Sequence, residues 1–395
     1  MDLTPEAQLD RLLAQLAPVE TEALPLDAAA GRVLAAPVAA DRDNPAVDVS
    51  AMDGWAIQRG DLSVGARLRV GGESRAGPAP PPTVAGEAIR IATGAPFPAG
   101  AAAVVPVEDA TEANGEVTLR ALPPAHGYVR RRGENVRAGA LLGRPGHPVT
   151  PPVAGMLSTF GGATLAVHRR VRVVVLTTGD EVRQTADRPE PWQLRDSNGP
   201  TLRALLGRAP WLELVRHDHA EDEPDAVREA LRRALASADA VLLTGGVSRG
   251  AHDEVPGAAA ACGCTTIFHR LPQRPGKPLF AAIGPAGQAV LGLPGNPVSV
   301  LVTARRFAVP ALRKLAGFAE PVRKEPLLPV AHCGEGLPGV WAFRLARRAG
   351  GGVELLEPKS SGDVVAAGDS DGFVIVPPGA PAGDTPRPFW AWEFD

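Results

Sequence analysis

Between Arg170 and Leu315, short apolar runs take turns with helix-patterned stretches, and this alternation constrains the fold more than any other feature. Val171 to Leu176, Leu212 to Val215, Ala240 to Leu243, Thr265 to Phe268, Leu279 to Ile283 and Ala289 to Leu293 have the length and make-up of strands. Thr201 to Leu206 puts Leu202, Leu205 and Leu206 on one helical face. Pro224 to Ala236 carries an apolar stripe through Val227, Ala230, Leu231, Ala234 and Leu235. A last helix is expected from about Pro297 to Leu315. Strands and helices alternating at these lengths predict a mostly parallel sheet with helices on both faces.

The flanks read differently. Thr4-Pro5-Glu6 is a cap, a first-turn proline and a dipole-favourable acid, followed by Leu9, Leu12, Leu13 and Leu16 at helical spacing. That predicts a helix ending near Pro18. From Gly54 to about Arg137, short runs such as Leu68 to Val70, Ala88 to Ile91, Ala103 to Val105 and Val117 to Leu119 are punctuated by Gly and Pro, which predicts a β-rich lobe. Beyond Gly317 the pattern is again β. Trp341 to Leu345 and Val353 to Leu356 flank Ala349-Gly350-Gly351-Gly352 as a hairpin, and Phe373 to Val376 adds a strand.

Composition excludes several classes. Hydrophobic residues are 45% of the 395, enough for packed cores, and 41 basic against 44 acidic residues leave no basic surplus for nucleic acid. The three cysteines, Cys262, Cys264 and Cys333, form no disulfide framework and lack common zinc spacing. The amino end, with its acids, is no signal peptide, and no apolar run approaches the roughly 20 residues of a membrane span. The expectation is a soluble, cytoplasmic protein that binds neither nucleic acid nor membrane.

In an open parallel sheet, ligands bind beyond the carboxyl ends of the strands. Three strands end in loops of small, hydroxyl, amide or acidic residues: Thr177-Thr178-Gly179-Asp180-Glu181, Thr244-Gly245-Gly246-Val247-Ser248-Arg249-Gly250 and Leu293-Pro294-Gly295-Asn296-Pro297. Such loops let backbone N–H groups approach an anion, and Asn296-Pro297 reads as a cap and first-turn pair that would aim further donors outward. A phosphorylated ligand across the three loops is expected. Asp180, Glu181, Asp196 and Asp253 gather near the same edge. Acids facing phosphate call for a hard divalent cation such as Mg²⁺ between them. His252, without metal spacing to another His, is not expected as a ligand. In Gln273-Arg274-Pro275-Gly276-Lys277-Pro278, two prolines stiffen a loop whose Arg274 and Lys277 suit an oxyanion. Lys277 is one of only four lysines, with Lys314, Lys324 and Lys359. Two other segments stay open between site and solvated surface on spacing alone: Asp48 to Ala56, and Arg130-Arg131-Arg132-Gly133-Glu134-Asn135-Val136.

At this point the chain resembles the MoeA family, the molybdopterin molybdenumtransferases that include the E domain of gephyrin. The likeness rests on SAMDGWA (Ser50 to Ala56), RIATGAPFPAGAAAVVPVE (Arg90 to Glu108), RRRGENVRAGALL (Arg130 to Leu142), TTGDE (Thr177 to Glu181), RDSNGPTLRALL (Arg195 to Leu206), LLTGGVSRGAHDEV (Leu242 to Val255), QRPGKPLF (Gln273 to Phe280) and GLPGNPVSV (Gly292 to Val300). SAMDG and GLPGNP in this order are highly specific, whereas TGDE and TGGVS also occur in related molybdopterin-binding-like domains.

The resemblance implies an α/β multidomain fold of four regions. These are an N-terminal helical and dimerisation region (1–53 plus 131–168), a β-rich lobe (54–130), a molybdopterin-binding-like α/β domain (169–317) and a C-terminal β barrel (318–395). It implies a homodimer with shared sites, and a reaction in which adenylylated molybdopterin plus molybdate gives molybdenum cofactor and AMP with Mg²⁺. A molybdopterin adenylyltransferase and molybdoenzyme acceptors are the implied partners. Carried over, Asp53, Asp180, Glu181, Asp253 and Lys277 are catalytic, with Asp180, Glu181 and Asp253 holding the cation. Thr93, Thr178, Gly179, Asp196, Asn198, Thr244, Gly245, Gly246, Ser248, Arg274, Pro294, Gly295, Asn296 and Pro297 bind substrate. The chain departs from the family at Asn135, where an acid is usual, at Trp55, commonly Tyr, and at Ala251, where a polar residue is frequent. The competing expectations are a catalytically silent molybdopterin-binding or scaffolding protein on this fold, and a nucleotide hydrolase like the CinA family, which SAMDG, PGNP and the β-rich insertion disfavour.

Overall fold

The computed structural model describes residues 4–125, 127–247 and 254–394. The chain forms two compact units, one of residues 1–36, 144–154 and 164–395, the other of 37–143 and 155–163.

The first unit opens with helix α1 (Pro5–Ala14), where Thr4 Oγ1 accepts the Ala7 N–H at 3.3 Å and Leu9, Leu12 and Leu13 are buried. Its centre is a six-stranded sheet of β1 (Val171–Thr178), β2 (Leu212–Ala220), β3 (Ala240–Thr244), β4 (Thr265–His269), β5 (Phe280–Ile283) and β6 (Ala289–Leu293), in the order β2-β1-β3-β6-β5-β4. The first four in that order are mutually parallel. β5 is antiparallel to both its neighbours. The sequence between β5 and β6, Gly284 to Gln288, is too short for the crossover a parallel pair needs, so the chain turns back as a hairpin.

Helices α2 (Asn198–Leu206), α3 (Pro224–Leu235), α4 (Val255–Ala261), α5 (Pro297–Thr303) and α6 (Val309–Leu315) complete the layers. Alternation along β1 divides the core. Val173 and Val175 pack with Leu202, Leu206, Leu312 and α1, while Val174 and Leu176 pack with Val227, Leu231, Val255 and Ala259. Each buried Val or Leu contributes about 1.5–3 kcal/mol by leaving water. The sequence predicts one helix from Pro297 to Leu315, but the structure inserts a π turn at Ala304–Ala308. Pro310 explains it: a proline inside a helix lacks the N–H and crowds the carbonyl four residues back, and a widened turn removes both conflicts.

The carboxyl-terminal part of this unit is a seven-stranded sheet. Trp341–Ala349 and Gly352–Leu355 form the expected hairpin, with Gly350 and Gly351 at φ +54° and +81°, the left-handed pair of a tight turn. Gln273–Arg274 lies parallel on Trp341 and Ala342, which ties the loop before β5 to this sheet. The Phe373 ring stacks on Trp390 at 5.8 Å.

The second unit is built on a six-stranded sheet, in the order Ala101–Pro106, Gly54–Gln58, Glu87–Ile91, Arg67–Ser74, Glu116–Leu119, Ala110–Ala113. Trp55, Ile57, Leu68, Val105, Val117 and Leu119 form its core. Trp55 is buried beneath the Arg90 guanidinium at 4.6 Å. Among the described residues, no helix is long and apolar enough to cross a membrane.

Candidate functional site

Because β1, β3 and β6 are adjacent and parallel, the three loops singled out in the sequence leave one edge of the sheet. They bond to one another. Thr178 Oγ1 donates to the Thr244 carbonyl at 3.3 Å, Gly245 N donates to the Leu293 carbonyl at 3.2 Å, and Asn198 Nδ2 donates to the Gly295 carbonyl at 2.8 Å. Gly245 has φ +94°, and a Cβ there would stand 2.6 Å from Thr178 Oγ1, so no larger residue fits this crossing. Thr178, Gly179, Thr244, Gly245, Gly246, Gly295 and Asn198 thus share one edge. Asn296 and Pro297 open α5 as expected, but the Asn296 side chain makes no capping hydrogen bond. It lines a cleft instead, with Pro294. Ser248 and Asp253 lie outside the described residues, as do Arg249, Ala251 and His252.

The acids separate into two groups. Asp180 Oδ1 accepts the Asp222 N–H at 3.0 Å. Burial, then the charges of Asp180 and Glu181, push the Asp222 carboxyl above the ordinary aspartate range; the Asp180 N–H offsets this only in part. Asp222 is the acid the sequence reading missed. β2 was read as ending at Val215, five residues short of its end at Ala220, and this hid that Glu221-Asp222-Glu223 follows a strand of the same sheet. Asp196 plays a different part. Its Oδ1 accepts the N–H groups of Asn198 (2.9 Å) and Gly199 (3.0 Å), and its Oδ2 faces His217 Nε2 at 3.2 Å. Burial pushes its carboxyl up, but His217 and these N–H donors outweigh that and hold it below the usual range. Among the described residues, no three His, Cys, Asp or Glu side chains converge closely enough to cage a metal.

A cleft of about 740 Å³ is lined by Arg274, Lys277, Pro294, Asn296 and Ser299 on one side and by Arg344, Lys359, Ser360 and Ser361 on the other. Arg274, Lys277, Arg344 and Lys359 stand against only two carboxylates, Glu335 and Glu357, and Glu357 is paired with Arg344. Two of the chain's four lysines therefore meet here. The loop holding Arg274 and Lys277 is fixed: Leu271 N–H donates to the Lys277 carbonyl at 2.9 Å, and buried Gln273 donates through Nε2 to the Gly276 carbonyl at 3.0 Å. Gly276 has φ +92°, and a Cβ there would lie 2.4 Å from Thr303 Cγ2. The stiff loop read from its prolines is present. The contribution of Arg344, Lys359, Ser360 and Ser361 was not foreseen; only the scarcity of lysine marked Lys359.

In the second unit, Asp53 Oδ1 accepts the Thr93 N–H at 2.6 Å and the Thr93 hydroxyl at 3.0 Å, and this holds the exposed Asp53 carboxyl below its ordinary value. Two motif residues 40 positions apart are thus joined. The arginine run is not a free basic patch: Arg131 pairs with Asp48 and Arg132 with Asp43. Asn135 donates to Asn44 Oδ1 at 2.7 Å and accepts from Arg130 at 2.7 Å, two bonds that use both ends of an amide.

Residues 3–161 match the family model of the MoeA N-terminal region (domain I and II), and 174–314 match that of a probable molybdopterin binding domain. A molybdopterin molybdenumtransferase from Synechococcus elongatus is 35% identical, covering 96% of each chain. One from Nostoc sp. is 38% identical over 77% of this chain and 72% of its own. The structure of a molybdopterin biosynthesis MoeA protein from Pyrococcus horikoshii superposes with a TM-score of 0.83 at 25% identity over the whole of both chains.

Proposed function

The chain belongs to the MoeA family, the molybdopterin molybdenumtransferases, and from that premise we propose how its residues divide the work of inserting molybdate into adenylylated molybdopterin with release of AMP. The observation that carries the reading is the cation-lined cleft next to the Leu293–Pro297 loop. Arg274, Lys277, Arg344 and Lys359 receive the molybdate oxyanion, with Ser360 and Ser361 as hydroxyl donors. Thr178, Gly179, Thr244, Gly245, Gly246 and Ser248 hold the phosphate through backbone and hydroxyl donors. Asn198, Asp196, Pro294, Gly295, Asn296 and Pro297 frame the rest of the substrate.

Asp180, Glu181 and Asp253 would hold Mg²⁺. The donors are hard oxygens, and the Asp180 and Glu181 charge that adds to burial in raising Asp222 is what a bound cation would relieve. When bound, the cation neutralises phosphate charge at the bond that releases AMP. Asp222 lies at the same edge, its N–H on Asp180 Oδ1 at 3.0 Å, and helps to hold Asp180 in place. Asp53, held ionised by Thr93, is supplied by the partner subunit of a homodimer. The four-region division (1–53 with 131–168, 54–130, 169–317 and 318–395) belongs to the same reading, supported by the three large sheets, whose strands, Gln273–Arg274 apart, each fall within one region. So do an adenylyltransferase and molybdoenzyme acceptors as partners, and a cytoplasmic setting, which three unpaired cysteines support.

The test is reconstitution with adenylylated molybdopterin, molybdate and Mg²⁺, following AMP. Molybdate-dependent release that stops in EDTA and returns with Mg²⁺ is expected. A folded chain that releases no AMP would make it a silent binding protein of this fold, and release undiminished in chelator would remove the cation.

A further inference from the structure

We infer that His217 is a positioning residue that sets the start of α2 and, through it, the Asn198 contact to the Leu293–Pro297 loop. The inference rests on the reading of Asn198 and that loop as substrate contacts. His217 lies on β2, an edge strand of the sheet, in the wall of a cleft of about 840 Å³.

Its imidazole is placed tightly. A Cβ at Gly199 would lie 2.1 Å from His217 Cε1, so the ring rests directly on the first turn of α2, and the glycine is what admits it. Nε2 stands 3.2 Å from Asp196 Oδ2 and 3.3 Å from Thr177 Oγ1. Asp196 is held ionised and can only accept, so Nε2 carries the hydrogen. That hydrogen is shared between Asp196 Oδ2 and Thr177 Oγ1, and the Thr177 hydroxyl keeps its own hydrogen for His219 Nδ1 at 3.2 Å or the Asp218 carbonyl at 3.4 Å. The same Asp196 takes the Asn198 and Gly199 N–H groups on its other oxygen. Asn198 Nδ2 then reaches the Gly295 carbonyl at 2.8 Å.

One ring therefore joins two supports of the ligand edge. On one side is the end of β1, where Thr178 follows Thr177 and bonds to Thr244. On the other is the capped start of α2. A carboxylate that loses one fixed donor reorients toward water, and its cap loosens. The Asn198 amide then has more than one place to be, and the loop it holds is less prepared for substrate. An imidazole kept only for packing would not need Nε2 between an anion and a hydroxyl.

The experiment compares His217→Leu, which keeps bulk but not the donor, with His217→Gln, which keeps a donor. His217→Leu should raise KM for adenylylated molybdopterin about tenfold, the scale of one charge-assisted hydrogen bond, and leave kcat within about twofold. His217→Gln should recover most of that loss. In an Asn198→Ala background, His217→Leu should add less than about twofold, because the two act in series. Hydrogen exchange of the peptide spanning Asp196 to Leu202 should quicken in His217→Leu and not in His217→Gln. Equal losses in both variants, full additivity with Asn198→Ala, or unchanged exchange would each overturn the inference. A wild-type chain that releases no AMP would refute the functional reading instead, and the exchange arm alone would then decide this one.

Discussion

Replacing Asp239 by Asn should release the amino-terminal end of the parallel sheet from its electrostatic anchor. Asp239 sits just before β3 with its side chain 12% exposed, and it accepts Arg169 Nη1 at 2.6 Å, Arg169 Nη2 at 2.8 Å and the Arg172 N–H at 2.8 Å. Burial pushes its carboxyl up, but the two arginines outweigh that and hold it at about 2, against an ordinary 3.8. At about 1.4 kcal/mol per pH unit, the difference corresponds to roughly 2.5 kcal/mol of folding stability. A depressed folded pKa gives stability that is present above the unfolded value and lost as pH falls through the folded one. The gap between wild type and Asp239→Asn should therefore be about 2 kcal/mol and flat at neutral pH, and should close between about pH 4 and pH 2. Denaturant unfolding followed by tryptophan emission is the assay, since Trp192, Trp211, Trp341, Trp390 and Trp392 all lie in the first unit and only Trp55 in the second. A gap below about 0.5 kcal/mol at neutral pH, the scale of an exposed pair, would refute the reasoning. So would one that persists unchanged at the acid end.

Lys277→Ala should raise the molybdate KM by about ten- to hundredfold, as loss of one charge-assisted contact does, with a smaller effect on KM for adenylylated molybdopterin; equal changes in both would move Lys277 away from the oxyanion. Asp222→Asn should leave the fold as stable or more so near neutral pH. A carboxyl raised in the folded state costs stability once it ionises, so a lower melting temperature at neutral pH would contradict its environment. Mixing Asp53→Ala with Asp180→Ala subunits should restore part of the activity if each site draws on both subunits, and a mixture that stays dead after proven exchange would place Asp53 in its own chain's site.

The parallel core and its three loops were legible because fully buried strands are continuous apolar runs, and each stops abruptly at Gly and hydroxyl residues. The second half of β2 was not. Arg216-His217-Asp218-His219 belongs to an edge strand where the polar Arg216, His217 and Asp218 are half-buried against one another and against α2, so its alternating apolar pattern is lost, and Asp222 was lost with it. The direction of β5 depended on the length of one short connection, which the strand and helix pattern does not weigh. The far side of the cleft was hidden for another reason. Arg344, Lys359, Ser360 and Ser361 reach it through pairing made only in the folded chain, between segments some 70 residues apart in sequence. Likewise, nothing in the spacing of Arg130-Arg131-Arg132 tells that Asp43 and Asp48 will neutralise two of the three.

The short ladder of Gln273 and Arg274 on Trp341 and Ala342 sets a limit on modularity. A gene fragment ending near Gly317 would keep the six-stranded sheet and the three loops, yet lose the strand on which Arg274 is laid and every cation on the opposite wall of the cleft. On the function proposed above, such a fragment would keep the phosphate loops and lack half of the oxyanion cleft. A graft of this α/β domain alone would thus carry the three loops without the cleft, and the cleft is whole only where both stretches travel together.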